Sequence, residues 1–402
     1  MAVNYTPVSE LLSVDGVRLA SAAAGIRYKE RDDLLLIEIA EGSSVTGVFT
    51  QNRFCAAPVL LCREHLKTHV PRFLVVNSGN ANAGTGEQGL ANAAKVCEAL
   101  AELAGISSKQ VLPFSTGVIG EQLSVTPFKS TFPTVLAGLS KENWHAAARA
   151  IMTTDTRPKA ISKQLMIDGA PVTITGIAKG AGMIEPNMAT MLAYVATDAV
   201  IAPDVLQRML KQAADLSFNS ITVDGDTSTN DALVLIATGK SGIDIESDDS
   251  VLFQETLNDL CQYLAQAIIR DAEGATKFVT LAVESAPDLQ TARAIAFTVA
   301  RSPLVKTALF ASDPNWGRIL AAIGRSPVKR LDISKLSLWL GETHLIQAGQ
   351  PVETYTEQAG QLEMDNEEIT IRIDLNDGEV ATKVWTSDLS HDYVTINAEY
   401  RS

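Results

Sequence analysis

The sequence predicts an α+β fold of stacked β-sheets covered by helices. Two observations carry that expectation. Short runs rich in Val, Ile, Leu and Thr recur along the chain, with helical patterns between many of them. Their order is not a clean strand–helix alternation, because the last third groups several strand-like runs together. Layered sheets therefore suit it better than one doubly wound sheet. At 402 residues the chain exceeds one ordinary core, so two or three domains or one large layered fold is expected.

The strand-like runs lie at residues 34–40 ("LLLIEIA"), 44–50, 73–79 ("FLVVNSG"), 111–117 ("VLPFSTG"), 170–178, 191–199 and 232–239. Three more, at 278–286, 368–375 and 379–388, form the late group. Helical spacing marks residues 85–105, 141–152, 203–217 and 249–274. The first of these is Ala-rich and stops at Gly105, a good helix terminator. There is no fixed-period repeat, low-complexity tract or long Pro/Gly/Ser linker.

Composition excludes several classes. The formal net charge is −14, the wrong sign for counterion-release binding to nucleic acid. Aromatic residues make up only 5%, which argues against a base- or sugar-stacking surface. Four scattered cysteines, Cys55, Cys62, Cys97 and Cys261, have no disulfide-scaffold spacing and fit a reducing, cytoplasmic setting. The start "MAVNYTPVSELL" has no basic or apolar leader pattern. The best membrane-span candidate, "AIAFTVARSPLVKTALFA", carries Arg301, Pro303 and Lys306, so no membrane segment is expected.

Several local patterns have both a functional and a plain structural reading. "GTGEQG" (84–89) matches G-x-G-x-x-G before a helix, but "NSGNANA" separates it from the preceding strand and no acidic residue closes a following strand. A glycine-rich loop opening a helix is the better reading. "CREHLKTH" spaces Cys62, His65 and His69 as a zinc site would, yet offers no fourth ligand and resembles a solvated helical turn. "DGDTSTND" starts like a calcium loop but has Thr229 at the glycine place and Leu235 at the final acidic place. Its polar residues are expected to satisfy a tight turn before a strand. G-x-S-x-G is absent, and His145 on an Ala-rich helix reads as a packed histidine.

Thr190 raises a different chemistry. It sits at a strand threshold after the glycine- and proline-containing stretch "KGAGMIEPNMA". A threonine hydroxyl needs a base to become a nucleophile. Its own α-amine, with a pKa of about 7.7–8.0, suits that task, and an internal threonine gains the amine only if the preceding peptide bond is cut. The plain alternative is that threonine simply favours strands.

"KGAGMIEPNMATML" resembles the signature of the ornithine acetyltransferase (glutamate N-acetyltransferase) family of arginine biosynthesis. So do "NSGNANA", "PFSTGVIG", "IMTTDTRPK", "TVDGDTSTND", "RDAEGATKF", "VARSPLVKTALFASDPNWGR" and the ending "NAEYRS", all in family order from residue 77 onward. The resemblance implies an αββα-type sandwich that cuts itself at Ala189–Thr190, giving an α-chain (1–189) and a β-chain (190–402). Two of each are expected to associate as a heterotetramer.

It further implies that Thr190 takes the acetyl group from N-acetylornithine and passes it to glutamate by a ping-pong route. Thr116 and Gly117 match the family's oxyanion hole. Thr153, Lys179, Thr190, Glu273, Asn397 and Ser402 match its substrate contacts. A lysine suits a substrate carboxylate and a glutamate the cationic amine of ornithine. The chain departs from the common family pattern at Ala181, often Ser, and at Ser402, often Thr. No metal or resident cofactor is implied, and the motifs do not decide whether acetyl-CoA is a second donor. A self-processing amidase or aminopeptidase, with water as acceptor, is the alternative.

Overall fold

The run "LLLIEI" is apolar on both faces, and both faces are buried. Leu35, Ile37 and Ile39 enter one core cluster, and Leu34 and Leu36 enter another. A strand of this kind needs a layer on each side, which is the origin of the sandwich. The computed structural model describes residues 2–167, 169–185, 191–245 and 250–399. It divides into two units, one of residues 6–219 and 226–268, the other of residues 1–5, 220–225 and 269–402.

The first unit begins with β1 (Val17–Ala22), β2 (Leu34–Ile39), β3 (Ser44–Phe49), α1 (Ala57–Thr68), β4 (Phe73–Asn77), α2 (Gly86–Ala104) and β5 (Val111–Ser115). It continues with α3 (Thr126–Ala137), α4 (Trp144–Ala150), β6 (Lys159–Ile167), β7 (Ala170–Lys179), β8 (Leu192–Thr197) and α5 (Pro203–Asp215). The two-residue strand β9 (Ile221–Thr222) belongs to the other unit, and β10 (Ala232–Ala237) and α6 (Ser250–Arg270) follow it.

Among the described residues, one sheet has the order β1-β2-β4-β5 and the other β3-β10-β8-β7-β6. Only β4–β5 and β8–β10 pair in parallel. Between the sheets lies a core to which β4 gives Leu74 and Val76, β5 Leu112 and Phe114, β8 Leu192 and Tyr194, and β10 Val234 and Ile236. On the outer face of the first sheet, Phe73, Val75 and Val111 pack with Val96, Cys97 and Leu100 of α2 and Phe128 and Phe132 of α3. The second sheet is covered by α6: a Cβ at Gly176 of β7 would lie 2.9 Å from Leu260 Cδ2. The layers are therefore helix, sheet, sheet, helix, as expected. With about 1.5–3 kcal/mol gained per fully buried aliphatic or Phe side chain, the two-sided burial of these strands dominates their intrinsic strand propensity.

The second unit carries β11 (Phe278–Ala286), α7 (Leu289–Ala300), α8 (Pro303–Phe310), α9 (Trp316–Gly324), β12 (Ser337–Leu340), β13 (Thr343–Gln347) and β14 (Gln350–Pro351). It ends with α10 (Glu357–Met364), β15 (Glu368–Asp374), β16 (Val380–Ser387) and α11 (His391–Ala398). Its sheet runs β14-β13-β12-β15-β11-β16-β9. Apolar residues of β11, β12 and β15 meet α7 and α9 in one core. The apolar stretch considered as a span is here two helices, α7 and α8, because Pro303 starts a new helix after Ser302. No helix among the described residues is long and apolar enough to cross a membrane.

One local expectation meets the structure directly: Gly105 ends α2 in the left-handed region at φ 67°, as a glycine stop should. Strands β7 and β8, which bracket the Ala189–Thr190 bond in sequence, are antiparallel neighbours of one sheet.

Candidate active site

Site geometry begins where β5 ends. Asn77, at the end of β4, donates from Nδ2 to Ser115 Oγ at 2.7 Å and accepts the N–H groups of Gly79 and Asn80 on Oδ1. This turn brings "NSGNANA" against the loop after β5, where Thr116 N–H donates to the Asn77 carbonyl at 2.9 Å. Gly117 follows at φ +127°, and a Cβ there would lie 2.7 Å from the carbonyl carbon of Gly79 and 2.9 Å from Asn80 N. Only glycine fits so close to backbone. Among the described residues the Gly117 N–H has no acceptor, so it is an unspent donor.

Lys179 ends β7 and is buried. Its Nζ donates to Thr116 Oγ1 at 3.1 Å. Beside it lies Asp155, fully buried, whose Oδ1 accepts Lys159 Nζ at 2.6 Å and Gly180 N–H at 2.7 Å, and whose Oδ2 accepts Thr153 N–H at 3.0 Å. Burial alone would push this carboxyl up. The Lys159 and Lys179 ammonium groups and the Gly180 N–H outweigh burial and hold it well below its usual range. One carboxylate thus gathers the "IMTTDTRPK" segment and the "KGAG" turn.

The loop "DGDTSTND" contributes more than a tight turn. Asn230 Nδ2 donates to the carbonyls of Ala81 at 2.6 Å and Ser115 at 2.9 Å. The next residue, Asp231, accepts Met191 N–H on Oδ1 at 2.8 Å. Two successive side chains therefore hold the residue before Thr116 and the residue after Thr190. In the β7–β8 pairing Lys179 is the register partner of Leu192.

In the second unit Glu273 and Asn397 meet: Asn397 Nδ2 donates to Glu273 Oε2 at 2.8 Å and to its own helix at Tyr393 O, 3.0 Å. Tyr393 Oη donates to Asp224 Oδ2 at 3.2 Å. So the structure brings together Thr116, Gly117, Thr153 and Lys179 in one unit, and Glu273 with Asn397 in the other. Ala189, Thr190 and Ser402 lie outside the described residues.

The discarded motifs resolve as packing, with one correction. Cys62 and His65 are buried, not solvated. Cys62 Sγ donates to Pro113 O at 3.0 Å and His65 Nδ1 donates to Val111 O at 2.8 Å, while His69 is half-buried. Among the described residues no group of His, Cys, Asp or Glu is arranged to hold a metal ion. "GTGEQG" is knitted into its own loop through Thr85 Oγ1 to Asn82 Oδ1 and Asn82 Nδ2 to Gly89 O. Asp155, Lys159, Asn230 and Asp231 were not singled out from sequence. All four lie inside quoted motifs. For Asn230 and Asp231 the signal is an amide and a carboxyl just before the buried strand β10. For Asp155 and Lys159 it is an acid and a base four residues apart at the start of β6.

A glycine-turn N–H beside a lysine-supported hydroxyl is an arrangement that can meet a developing oxyanion. The ArgJ family profile matches residues 18–402. An "Arginine biosynthesis bifunctional protein ArgJ" of Pseudomonas fluorescens (strain Pf0-1) is 53% identical over 406 residues, covering 100% of both chains. The protein of the same name from Methylococcus capsulatus is 55% identical over 395 residues, 98% of this chain and 97% of its own. Among solved structures, arginine biosynthesis bifunctional protein argJ from Bacillus halodurans is 36% identical, with a TM-score of 0.49, over 52% of this chain and 98% of its own. The chain belongs to the ArgJ family.

Proposed function

We propose that this enzyme, an ornithine acetyltransferase of arginine biosynthesis, works through Thr190 as an N-terminal nucleophile freed by self-cleavage. The observation that carries this reading is the placement of Lys179. It bonds Thr116 Oγ1 and is the register partner of Leu192, two residues along the chain from Thr190.

Self-cleavage begins when Thr190 Oγ1 attacks the Ala189 carbonyl. The C–N bond breaks as the nitrogen takes the hydroxyl proton, leaving an ester that water hydrolyses to the Ala189 carboxylate and the Thr190 amine. In turnover the amine accepts the Oγ1 proton as Oγ1 attacks the acetyl carbonyl of N-acetylornithine. The tetrahedral oxyanion is met by the Thr116 hydroxyl and the Gly117 N–H. Collapse returns the proton to the ornithine α-nitrogen, which leaves. The glutamate amine then attacks acetyl-Thr190 and restores the hydroxyl.

Thr153, Lys179, Glu273, Asn397 and Ser402 bind the amino acid, with Lys179 on a carboxylate and Glu273 on the ornithine side-chain ammonium. No resident cofactor enters this scheme. The word "bifunctional" in the relatives' name supports a second donor, and acetyl-CoA would acylate the same Oγ1. The pairing of β7 with β8 supports an α-chain (1–189) and a β-chain (190–402) that stay joined after cutting; the family resemblance implies two of each per molecule. Four unpaired cysteines support a cytoplasmic setting.

The test is an intact-mass measurement after N-acetylornithine is added without glutamate. The fragment starting at residue 190 should gain one acetyl group and lose it when glutamate is added. Release of free acetate in place of N-acetylglutamate would point to the hydrolase alternative.

A further inference from the structure

Asp231 has a donor on one carboxyl oxygen and none on the other. It is 1% exposed and directly precedes β10. Oδ1 accepts the Met191 N–H at 2.8 Å. Oδ2 is buried with no hydrogen-bond partner among the described residues. The backbone around it is tied down: Thr50 N–H donates to the Asp231 carbonyl at 3.0 Å, and Ala232 N–H to the Met191 carbonyl at 3.1 Å. An unsatisfied buried polar atom costs about 1–3 kcal/mol, more when charged, so its retention asks for a partner.

Chain chemistry supplies one. Met191 N is bonded to the Thr190 carbonyl carbon, and successive backbone nitrogens lie roughly 3 Å apart by standard dimensions. Rotation about the Thr190 Cα–C bond swings that nitrogen around Met191 N, so a carboxyl holding Met191 N–H on one oxygen can take the freed amine on the other. As an amide that nitrogen carries one hydrogen fixed in the peptide plane. Once cut, it carries two or three and turns freely about its Cα–N bond.

We propose that Asp231 is the positioning residue for the catalytic base: Oδ1 keeps the Met191 amide, and Oδ2 accepts a hydrogen bond from the freed Thr190 α-amine. That bond turns the amine's lone pair toward Oγ1. The proposal rests on Thr190 being the N-terminal nucleophile. Burial pushes the Asp231 carboxyl well above its usual range, against the opposing Met191 N–H, the Lys179 ammonium and the neighbouring Thr50 and Ser228 hydroxyls. An amine at Oδ2 adds the stabilisation this carboxyl lacks. Cys55 is the other titratable group that senses it.

Asp231→Asn in the full chain keeps an acceptor for Met191 N–H and removes the acceptor for the amine. General-base catalysis contributes about 10²–10⁴-fold, so a misaimed amine should lower kcat about tenfold or more. KM for N-acetylornithine should stay within about twofold and the melting temperature within a few degrees, which a merely structural role would not leave in place. A cut variant with kcat within about twofold of the parent overturns the proposal. If Asp231→Asn stays uncut, Asp231→Ala with added formate decides. Cutting and turnover restored by formate, but not by chloride at equal ionic strength, support a carboxylate there, and no restoration overturns it. Thr190→Ala run in parallel separates the two levels. Activity in that variant removes the nucleophile reading itself, whereas an inactive Thr190→Ala beside a fully active Asp231→Asn removes only the role of Asp231.

Discussion

Lys179 Nζ donates to Thr116 Oγ1 across 3.1 Å, tying the end of β7 in one sheet to the residue after β5 in the other. A hydroxyl has two acceptor sites and one proton. With the ammonium on the oxygen, the Thr116 proton is left to donate to a developing oxyanion. Thr116→Ala should lower kcat by about 10²–10³ with little change in KM, and Thr116→Ser should recover most of it. A loss under about threefold in steady-state turnover would count against Thr116 as an oxyanion donor.

Cutting depends on the same hydroxyl as turnover. Thr190→Ala should therefore remain one chain of 42.9 kDa on a denaturing gel and transfer no acetyl group. A variant still split before residue 190 would show that Thr190 is not the group that attacks.

Asp155 and Lys159 have fully buried side chains 2.6 Å apart. Asp155→Asn removes the carboxylate from a buried ammonium, at an expected cost of about 3–5 kcal/mol. Urea unfolding should report it as a lower midpoint at unchanged slope. The pH dependence has a definite sign. The folded carboxyl is held below its ordinary value of 3.8, so the stability it adds is complete above that pH and is lost as pH falls toward the folded value. The parent should therefore lose stability between about pH 4 and 2 that Asp155→Asn does not lose. Parallel acid titrations of the two unfolding midpoints would remove this account.

Glu273 is held by Asn397 Nδ2 at 2.8 Å. Glu273→Gln keeps an oxygen for that bond and removes the charge. Hydrogen bonds to charged groups are worth about 1.5–3 kcal/mol, so KM for N-acetylornithine should rise by about tenfold or more while kcat stays within about threefold. An unchanged KM would place the substrate ammonium elsewhere.

Legibility followed burial pattern. Strands β2, β4, β8 and β10 are buried on both faces and were readable as apolar runs, with ends right to within a few residues. Strand β6, "KAISKQLMI", was not, because it is only partly buried and carries Lys and Gln in its length. The short strands β12 to β14 and the helices α7 to α9 were also missed. The apolar continuity of α7 and α8 hides the break at Ser302–Pro303. In the site, Thr116, Gly117 and Lys179 stood in motifs, but Asp155, Asn230 and Asp231 act through backbone groups distant in sequence, and no periodicity encodes such partners.

By itself the sequence determined the layered α+β class, the family and the candidate nucleophile, because apolar runs and ordered motifs are local patterns. Only the tertiary structure decided that β7 and β8, the strands that bracket residues 180–191 in sequence, are neighbours in one sheet. It also decided that Asn230 and Asp231 hold the two sides of the site. The physical reason is that a buried amide or carboxyl must find its partner in space, and the strands that supply those partners meet only once the sheets have stacked.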